Sequence, residues 1–277
     1  MSRLDLVGRT VLITGSTGGL GAALATELRH RGANLALLDL DAARAAQQAA
    51  DLGGDTVARG WAVDVRDLDS VRSAVDAAAA HFGRLDVVVA NAGVAEAIAP
   101  MTDLSPEEWE RTVDVNLNGV WRTFTAALPH VTHEQGHLLA ISSMAAFVHA
   151  PLQGGYPASK AGVWALCDTL RLEVAPTGVT VGSAHPTFFK TPLMDGVMAQ
   201  PASMRIWNDH TGAWKLIPIE VVVNEIVRGI ERRAAHVVAP RSNQLAAYVP
   251  GAIQAIADRL QFRHKTVREA LAAAQPA

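Results

Sequence analysis

The chain reads as an α/β protein with a doubly wound, mostly parallel seven-stranded sheet and helices on both faces. Three observations predict this. Short apolar, β-branched runs recur near residues 9–14, 34–39, 57–64, 85–90, 136–142, 178–184 and 235–239. Between them lie stretches of helical periodicity, long enough to cross back over a sheet as parallel pairing requires. Most of the runs also stop at a polar or glycine-bearing segment, and sites in such sheets collect at the carboxyl ends of the strands.

The first run, Arg9–Thr14, stops at Gly15-Ser16-Thr17-Gly18-Gly19-Leu20-Gly21, after which Leu20, Ala23, Leu24, Glu27 and Leu28 recur at helical spacing. Any flexible turn uses glycine. Flanked by a strand and a helix, however, this one turns backbone N–H groups and a helix N-terminus toward an anion such as a dinucleotide pyrophosphate. The second strand ends at Asp39, eighteen residues after Gly21, near the spacing at which a carboxylate reaches the adenosine ribose. A carboxylate there repels a 2′-phosphate, Leu40 follows it, and the glycine turn holds no basic residue, so the sequence argues for NAD over NADP. The other reading of Asp39 is a helix cap, a role that suits Asp41 better.

The third strand, around Trp61-Ala62-Val63, runs into Asp64 and Val65, and the fourth into Asn91-Ala92-Gly93. Asp64 also suits a turn cap, and Asn91 a turn. Ser105-Pro106-Glu107-Glu108 marks a helix start, with a capping serine, proline first and glutamate third. Asn116 lies inside a long helical stretch, where asparagine is ordinarily a polar contact. The fifth strand ends at Ser142-Ser143, and the sixth at Ala184, before His185-Pro186-Thr187-Phe188-Phe189-Lys190-Thr191.

The richest segment is Tyr156-Pro157-Ala158-Ser159-Lys160, thirteen residues after Ser143. Four residues apart on a helix means one face, so the Lys160 ammonium can lie beside the Tyr156 phenol. Moving a phenol from its usual pKa of about 10 to near 7 takes roughly 4 kcal/mol of preferential phenolate stabilisation. A fixed cation supplies that kind of bias. A Tyr-x-x-x-Lys match arises by chance in roughly 3% of such chains, so its weight comes from its companions.

Those companions stand in register. Thr14-Gly15-x-x-x-Gly19-x-Gly21, Asn91-Ala92-Gly93, Asn116, Ser143 and Tyr156-x-x-x-Lys160 together resemble the short-chain dehydrogenase/reductase family, in its compact single-domain branch with a Rossmann-type sheet, from about Val7 to Pro240. The resemblance implies that Tyr156 is the acid/base, that Lys160 holds the nicotinamide ribose and lowers the tyrosine's pKa, and that Ser143 positions the substrate oxygen. It implies that Asn116 holds a water linking Lys160 to solvent. It implies cofactor contacts at Gly15, Gly19, Leu20, Gly21, Asp39, Leu40, Asp64, Val65, Asn91, Ala92, Gly93, Tyr156, Lys160, Pro186, Phe189 and Thr191. The family spacing selects Ser143 over Ser142, which the residues alone leave ambiguous. Thr187 departs from the pattern by standing where the family has glycine, a residue that permits close backbone approach. His185 reads as local structure rather than a substrate contact.

Residues 187–217 read as a loop-rich substrate lid belonging to a catalytic domain that spans 1–240. Their large apolar groups, with those of the loop after Ser143, point to a bulky apolar alcohol or ketone. Phe147, Phe188, Met194, Met198 and Trp207 are the candidate contacts. Packing of these groups on the protein itself is the alternative. Residues 241–277 form a helical extension in which Leu245, Val249, Ile253, Ile256, Ala257 and Leu260 recur beside basic residues. Such a segment packs on its own domain or a partner subunit, or else touches a membrane surface. By resemblance, subunits pair through the helices of Asn116 and Tyr156 as a homodimer or homotetramer.

Composition is consistent with this. The 277 residues carry a net charge of −3 without a long basic run, which argues against a nucleic-acid partner. With one cysteine, Cys167, no intrachain disulfide is possible, no metal-ligand cluster is evident, and no apolar stretch of membrane-spanning length or signal peptide appears. The expected setting is cytoplasmic. Two other functions fit parts of the pattern. A non-catalytic NAD-sensing or partner-binding protein would need the glycine turn but not the Asn, Ser, Tyr and Lys set. A sugar-nucleotide epimerase or dehydratase would ordinarily have a longer chain and different glycine spacing.

Overall fold

The computed structural model describes residues 3–274. The chain alternates strand and helix in the order β1 (Thr10–Thr14), α1 (Gly19–His30), β2 (Asn34–Asp39), α2 (Ala42–Asp51), β3 (Ala58–Ala62), α3 (Leu68–Phe82) and β4 (Val87–Ala90). There follow α4 (Pro106–Val113), a π-helical turn (Asp114–Asn118), α5 (Gly119–His133), β5 (His137–Ile141), α6 (Gly155–Val174) and β6 (Thr180–Pro186). The rest is α7 (Pro192–Met198), α8 (Pro201–Ile206), α9 (Ile219–Arg232), β7 (His236–Ala239), α10 (Gln244–Tyr248), α11 (Pro250–Leu260) and α12 (His264–Ala274).

All seven strands pair in parallel, in the order β3-β2-β1-β4-β5-β6-β7. The order reverses between β1 and β4, and a crevice opens outside the strand ends at such a switch point. The interiors of the central strands β1, β2 and β4 are apolar on both sides because helices cover both faces. Val11, Ile13, Leu35, Leu37, Val87 and Val89 enter one core with α1 and α9. Their neighbours Leu12, Ala36, Leu38 and Val88 enter the other with α3, α5 and α6. Ser105 caps α4 as its sequence predicts, its hydroxyl accepting from Glu108 N at 3.2 Å.

The lid is more regular than its sequence suggests. Thr191 accepts from Met194 N at 3.2 Å and opens α7, where Pro192 occupies the first turn, and Pro201 does the same for α8. The two ends of the segment meet, with Ile217 N donating to Phe188 O at 2.9 Å. The C-terminal extension folds onto the lid: α12 packs along α8, and Phe262 meets Trp207 edge to face at 5.7 Å. The Gln254 side-chain amide brackets the His149 backbone, accepting from its N at 2.7 Å and donating to its O at 3.2 Å. The apolar periodicity of the extension overstates its buried face. Ala257 is buried and Ile253 partly so, whereas Leu245, Ile256 and Leu260 are exposed, because α11 touches the body along a narrow stripe.

Two histidines lie inside the sheet. His137 at the start of β5 bonds Thr180 Oγ1 at 2.9 Å, and His185 near the end of β6 bonds Ser183 Oγ at 2.8 Å. Burial pushes each down to about 3 from the ordinary 6.5. Both are neutral in the folded chain and charge on unfolding below pH 6.5, so the unfolded state binds more protons between 6.5 and about 3. Stability contributed this way falls as pH falls across that window. We expect the unfolding free energy, read by urea titration, to drop by up to about 1.4 kcal/mol per pH unit per histidine as pH falls below 6.5. His137→Leu, which leaves the Thr180 hydroxyl its bond to Gly136 O, should flatten that slope.

Candidate active site

A cavity of about 630 Å³ opens at the switch point, and the glycine turn lines one end of it. Gly15 has φ +63°, a value that favours glycine, and a Cβ on it would lie 2.8 Å from Ala92 Cα. A Cβ on Gly21 would lie 2.2 Å from Gly15 O. The turn is held from β4: Asn91 Nδ2 donates to Thr14 O and Gly15 O, both at 3.0 Å, and Asn91 N donates to Thr14 Oγ1 at 3.0 Å. No side chain caps the first N–H groups of α1. This close-packed turn with free helix-terminal donors fits a dinucleotide pyrophosphate.

At the adenosine end, Asp39 Oδ2 accepts from Thr17 N at 3.0 Å and from Thr17 Oγ1 at 2.9 Å, while Asp41 caps α2. Asp64 is paired with Arg66, and that hydrogen bond holds its carboxyl below the usual range. Two arginines that sequence reading passed over also line this end: Arg66, and Arg44, which donates to Thr17 O at 3.0 Å. Both stand outside the glycine turn, where a motif search does not look.

The other half of the cavity gathers the residues singled out for chemistry. Ser143, Tyr156 and Lys160 all line it, from the β5 end and the first turns of α6. The Ser143 Oγ accepts from Ala145 N at 3.1 Å, and its hydroxyl acts on the Tyr156 phenol in the direction that favours the phenolate. Lys160 Nζ lies over the Tyr156 ring, 5.6 Å from its centroid, and donates to Ile141 O at 2.9 Å. Ser142 is buried and donates to Lys160 O at 2.9 Å, a structural bond that seats α6.

The electrostatics differ from expectation. Burial pushes the Tyr156 phenol above its ordinary 10, with only the Ser143 hydroxyl pulling it back. Burial brings the Lys160 ammonium down to about 8. The physical reason is that desolvation penalises both charged forms, and Lys160 spends a donor on a carbonyl rather than on the phenol oxygen. Protein groups alone thus leave Tyr156 protonated at neutral pH.

Asn116 sits in the π-helical turn and is fully buried. Its Oδ1 accepts from Val94 N at 2.8 Å, and its Nδ2 donates to Val94 O at 3.0 Å and Ser159 Oγ at 3.2 Å. The amide therefore serves the backbone just after Asn91–Gly93. A Cβ on Gly93 would stand 3.3 Å from Asn116 Oδ1 and 3.6 Å from Lys160 Nζ, so all three converge.

Every predicted cofactor contact lines the cavity, and so do Phe188, Met194 and Trp207. Two substrate candidates do not. Phe147 is fully buried against Trp164 and His185, with ring centroids 4.9 and 4.4 Å away, because its loop turns it into the body. Met198 packs within the lid's own apolar cluster. His185 lies behind the cavity and bonds Ser143 O at 3.3 Å. Thr187 lines the cavity while its N donates to Ala239 O at 2.8 Å, so the threonine in place of glycine is anchored to β7. Glu96, Arg111, Gln153 and Asn243 complete the polar wall. Nothing in sequence spacing marks them, since each lies in a loop or at an element end.

The family model described as short chain dehydrogenase matches residues 9–202. The chain belongs to the short-chain dehydrogenase/reductase family. It is 40% identical over 193 residues to a D-threitol dehydrogenase of Mycolicibacterium smegmatis, covering 69% of this chain and 73% of that one. It is 35% identical over 211 residues to a (-)-trans-carveol dehydrogenase of Rhodococcus erythropolis, covering 70% of this chain and 75% of the relative. The crystal structure of levodione reductase superposes with a TM-score of 0.78 at 25% identity, over 88% of this chain and all of that one. The chain is therefore an oxidoreductase of a family that uses nicotinamide cofactors. Among the described residues, no helix is long and apolar enough to cross a membrane.

The bracket that Asn116 forms around Val94 makes a stability prediction. Asn116→Ala strips partners from the partly buried N–H and carbonyl of Val94, and Asn116→Asp sets a carboxylate oxygen against the Val94 carbonyl. Each should cost about 2 kcal/mol or more, a fall of roughly 4–8 °C in Tm by calorimetry.

Proposed function

We propose that the protein is an NAD-dependent oxidoreductase that interconverts a secondary alcohol and its ketone on a bulky, largely apolar molecule. The observation that carries this is the meeting of Ser143, Tyr156 and Lys160 inside one buried cavity that the glycine turn also lines. Gly15, Gly19, Leu20 and Gly21 would hold the pyrophosphate, Asp39 the adenosine ribose, and Lys160 the nicotinamide ribose. When bound, the oxidised nicotinamide supplies a hydride acceptor and a positive charge. Ser143 orients the substrate oxygen, and Tyr156 takes its proton during oxidation and returns it during reduction. Lys160 keeps a cation beneath the phenol ring and favours the phenolate. Asn116 fixes the segment against which Lys160 lies. The second charge offsets the burial that otherwise holds the Tyr156 proton in place.

Substrate character is argued from the cavity wall. Carveol is an apolar terpenol and threitol a small polyol, so the relatives' names point opposite ways. Val148, Phe188, Leu193, Met194, Val197, Trp207 and Trp214 line the lid side, which favours the apolar class. For the nucleotide, the Asp39 carboxylate favours NAD. Arg44, the basic residue nearest in sequence to Asp39, already donates to Thr17 O. Pairing of subunits is supported by Trp121 on α5 and Leu172 on α6, both exposed. A purely NAD-sensing role would leave the meeting of Ser143, Tyr156 and Lys160 in one cavity without a purpose.

With NAD and a panel of terpenols, steroids, sugars and acyclic alcohols, Tyr156→Phe should abolish NADH formation, with NAD affinity within about threefold of wild type by fluorescence titration. Substantial residual turnover would refute the acid/base role. Asp39→Ala combined with Leu40→Arg should raise the NADP/NAD ratio of kcat/KM by at least about tenfold, because a like charge facing the 2′-phosphate is removed. An unchanged ratio in steady-state kinetics would overturn the charge argument.

A further inference from the structure

A helix opens with backbone N–H groups that find no acceptor within the helix. In α6 these are Gly155 and Tyr156, since Pro157 has no N–H and Ala158 N reaches Gly154 O at 3.3 Å. No side chain at the preceding Gly154 caps them. Both donors go to one carboxylate: Gly155 N to Glu96 Oε2 and Tyr156 N to Glu96 Oε1, each at 3.0 Å. Glu96 is 5% exposed and follows closely on Asn91–Gly93. The fit depends on a missing side chain, because a Cβ on residue 155 would lie 2.2 Å from Glu96 Oε2.

We propose that Glu96 is a positioning residue for Tyr156, fixing the first turn of α6 at a set height and rotation relative to the cofactor turn. This rests on the reading of Tyr156 as the acid/base. The run from Asn91 to Glu96 is held at three points: at Asn91 by Thr14 and Gly15, at Val94 by Asn116, and at Glu96 by α6. It therefore acts as a spacer of set length between the glycine turn and the phenol. The other end of the first turn is tied down as well, through Lys160 to Ile141 O and Ser142 to Lys160 O. Two charge-assisted bonds from one rigid group leave the turn no free rotation. Burial raises the Glu96 carboxyl, while the two N–H groups favour its ionised form and Glu108 of α4 opposes it.

Glu96→Gln keeps the shape but turns an amide donor toward one of the two N–H groups. On an alcohol that the wild type oxidises, we expect kcat to fall by roughly tenfold or more, NAD affinity to stay within about threefold, and Glu96→Asp to recover part of the loss. Gly155→Ala should give the same loss, and Glu96→Gln/Gly155→Ala should be no worse than either single change, because both break one contact. In a Tyr248→Phe background, the Tyr156 phenol followed by phenolate absorbance should shift its titration once Glu96→Gln loosens the first turn of α6. That titration needs no substrate, so it tests the contact even where the alcohol panel fails, a failure that would count against the enzyme reading alone. The proposal is overturned if Glu96→Gln keeps kcat within twofold and leaves the titration unmoved. It is equally overturned if the two single losses multiply, or if kcat, NAD affinity and Tm fall together.

Discussion

Burial of polar groups at the carboxyl end of the sheet is the constraint on which the site depends. Asn116, Ser142 and Lys160 are almost completely excluded from solvent, and a buried donor or acceptor without a partner costs about 1–3 kcal/mol. Each is answered by backbone: Asn116 by Val94, Ser142 by the carbonyl of Lys160, Lys160 by the carbonyl of Ile141. These bonds cross between elements that the sheet brings together at its switch point. The demand for satisfied hydrogen bonds, more than any side chain's reactivity, sets where the reactive groups can stand.

The same burial works against the chemistry. A tyrosine that exchanges protons near neutrality needs its phenolate favoured, yet a dry site favours the neutral phenol. Lys160 faces the same penalty, and it keeps its charge at neutral pH because its pKa is still about 8. The protein thus holds one buried cation against the face of the phenol ring. A second positive charge entering the cavity would act at lower dielectric than in water, where its effect is larger. Without one, the Tyr156 phenol keeps its proton at neutral pH.

The sequence carried the frame of this molecule and left parts of the site unreadable, for reasons that can be named. The strand interiors show because a sheet covered on both faces demands unbroken apolar runs, as in Val11-Leu12-Ile13 and Val87-Val88-Val89. The glycine turn and the Tyr156/Lys160 pair show because their geometry is local: a positive φ, a close approach, one helical turn. Glu96 does not show. Its partners lie 59 and 60 residues away, and a lone glutamate in a loop looks like any solvated one. Phe147 misled because hydrophobicity predicts that a side chain is covered without saying by what. The lid reads as a loop because α7 and α8 span 7 and 6 residues, too short for periodicity to register. Their starts were nevertheless written in Thr191-Pro192 and Pro201.

The lid and the C-terminal extension follow a different logic from the sheet. Many of their contacts are with each other and with the loops after β4 and Ser143: α12 on α8, Gln254 on His149, and Gln200 Oε1 accepting from Ile98 N at 2.9 Å. Ile98, Met194, Val197, Trp207 and Phe262 form an apolar cluster of their own there, while Phe189 and Ile217 tie the segment to the sheet core and Thr187 N ties it to β7. Three consecutive residues there, Asn208, Asp209 and His210, take positive φ near 50°, a conformation that asparagine, aspartate and histidine tolerate better than most. That turn follows directly on Trp207, whose indole lines the cavity while its Nε1 finds no hydrogen-bond partner. The apolar wall and the first turn of α6 are thus held by separate bonds, the latter by Glu96 accepting from Gly155 N and Tyr156 N and by Lys160 Nζ donating to Ile141 O.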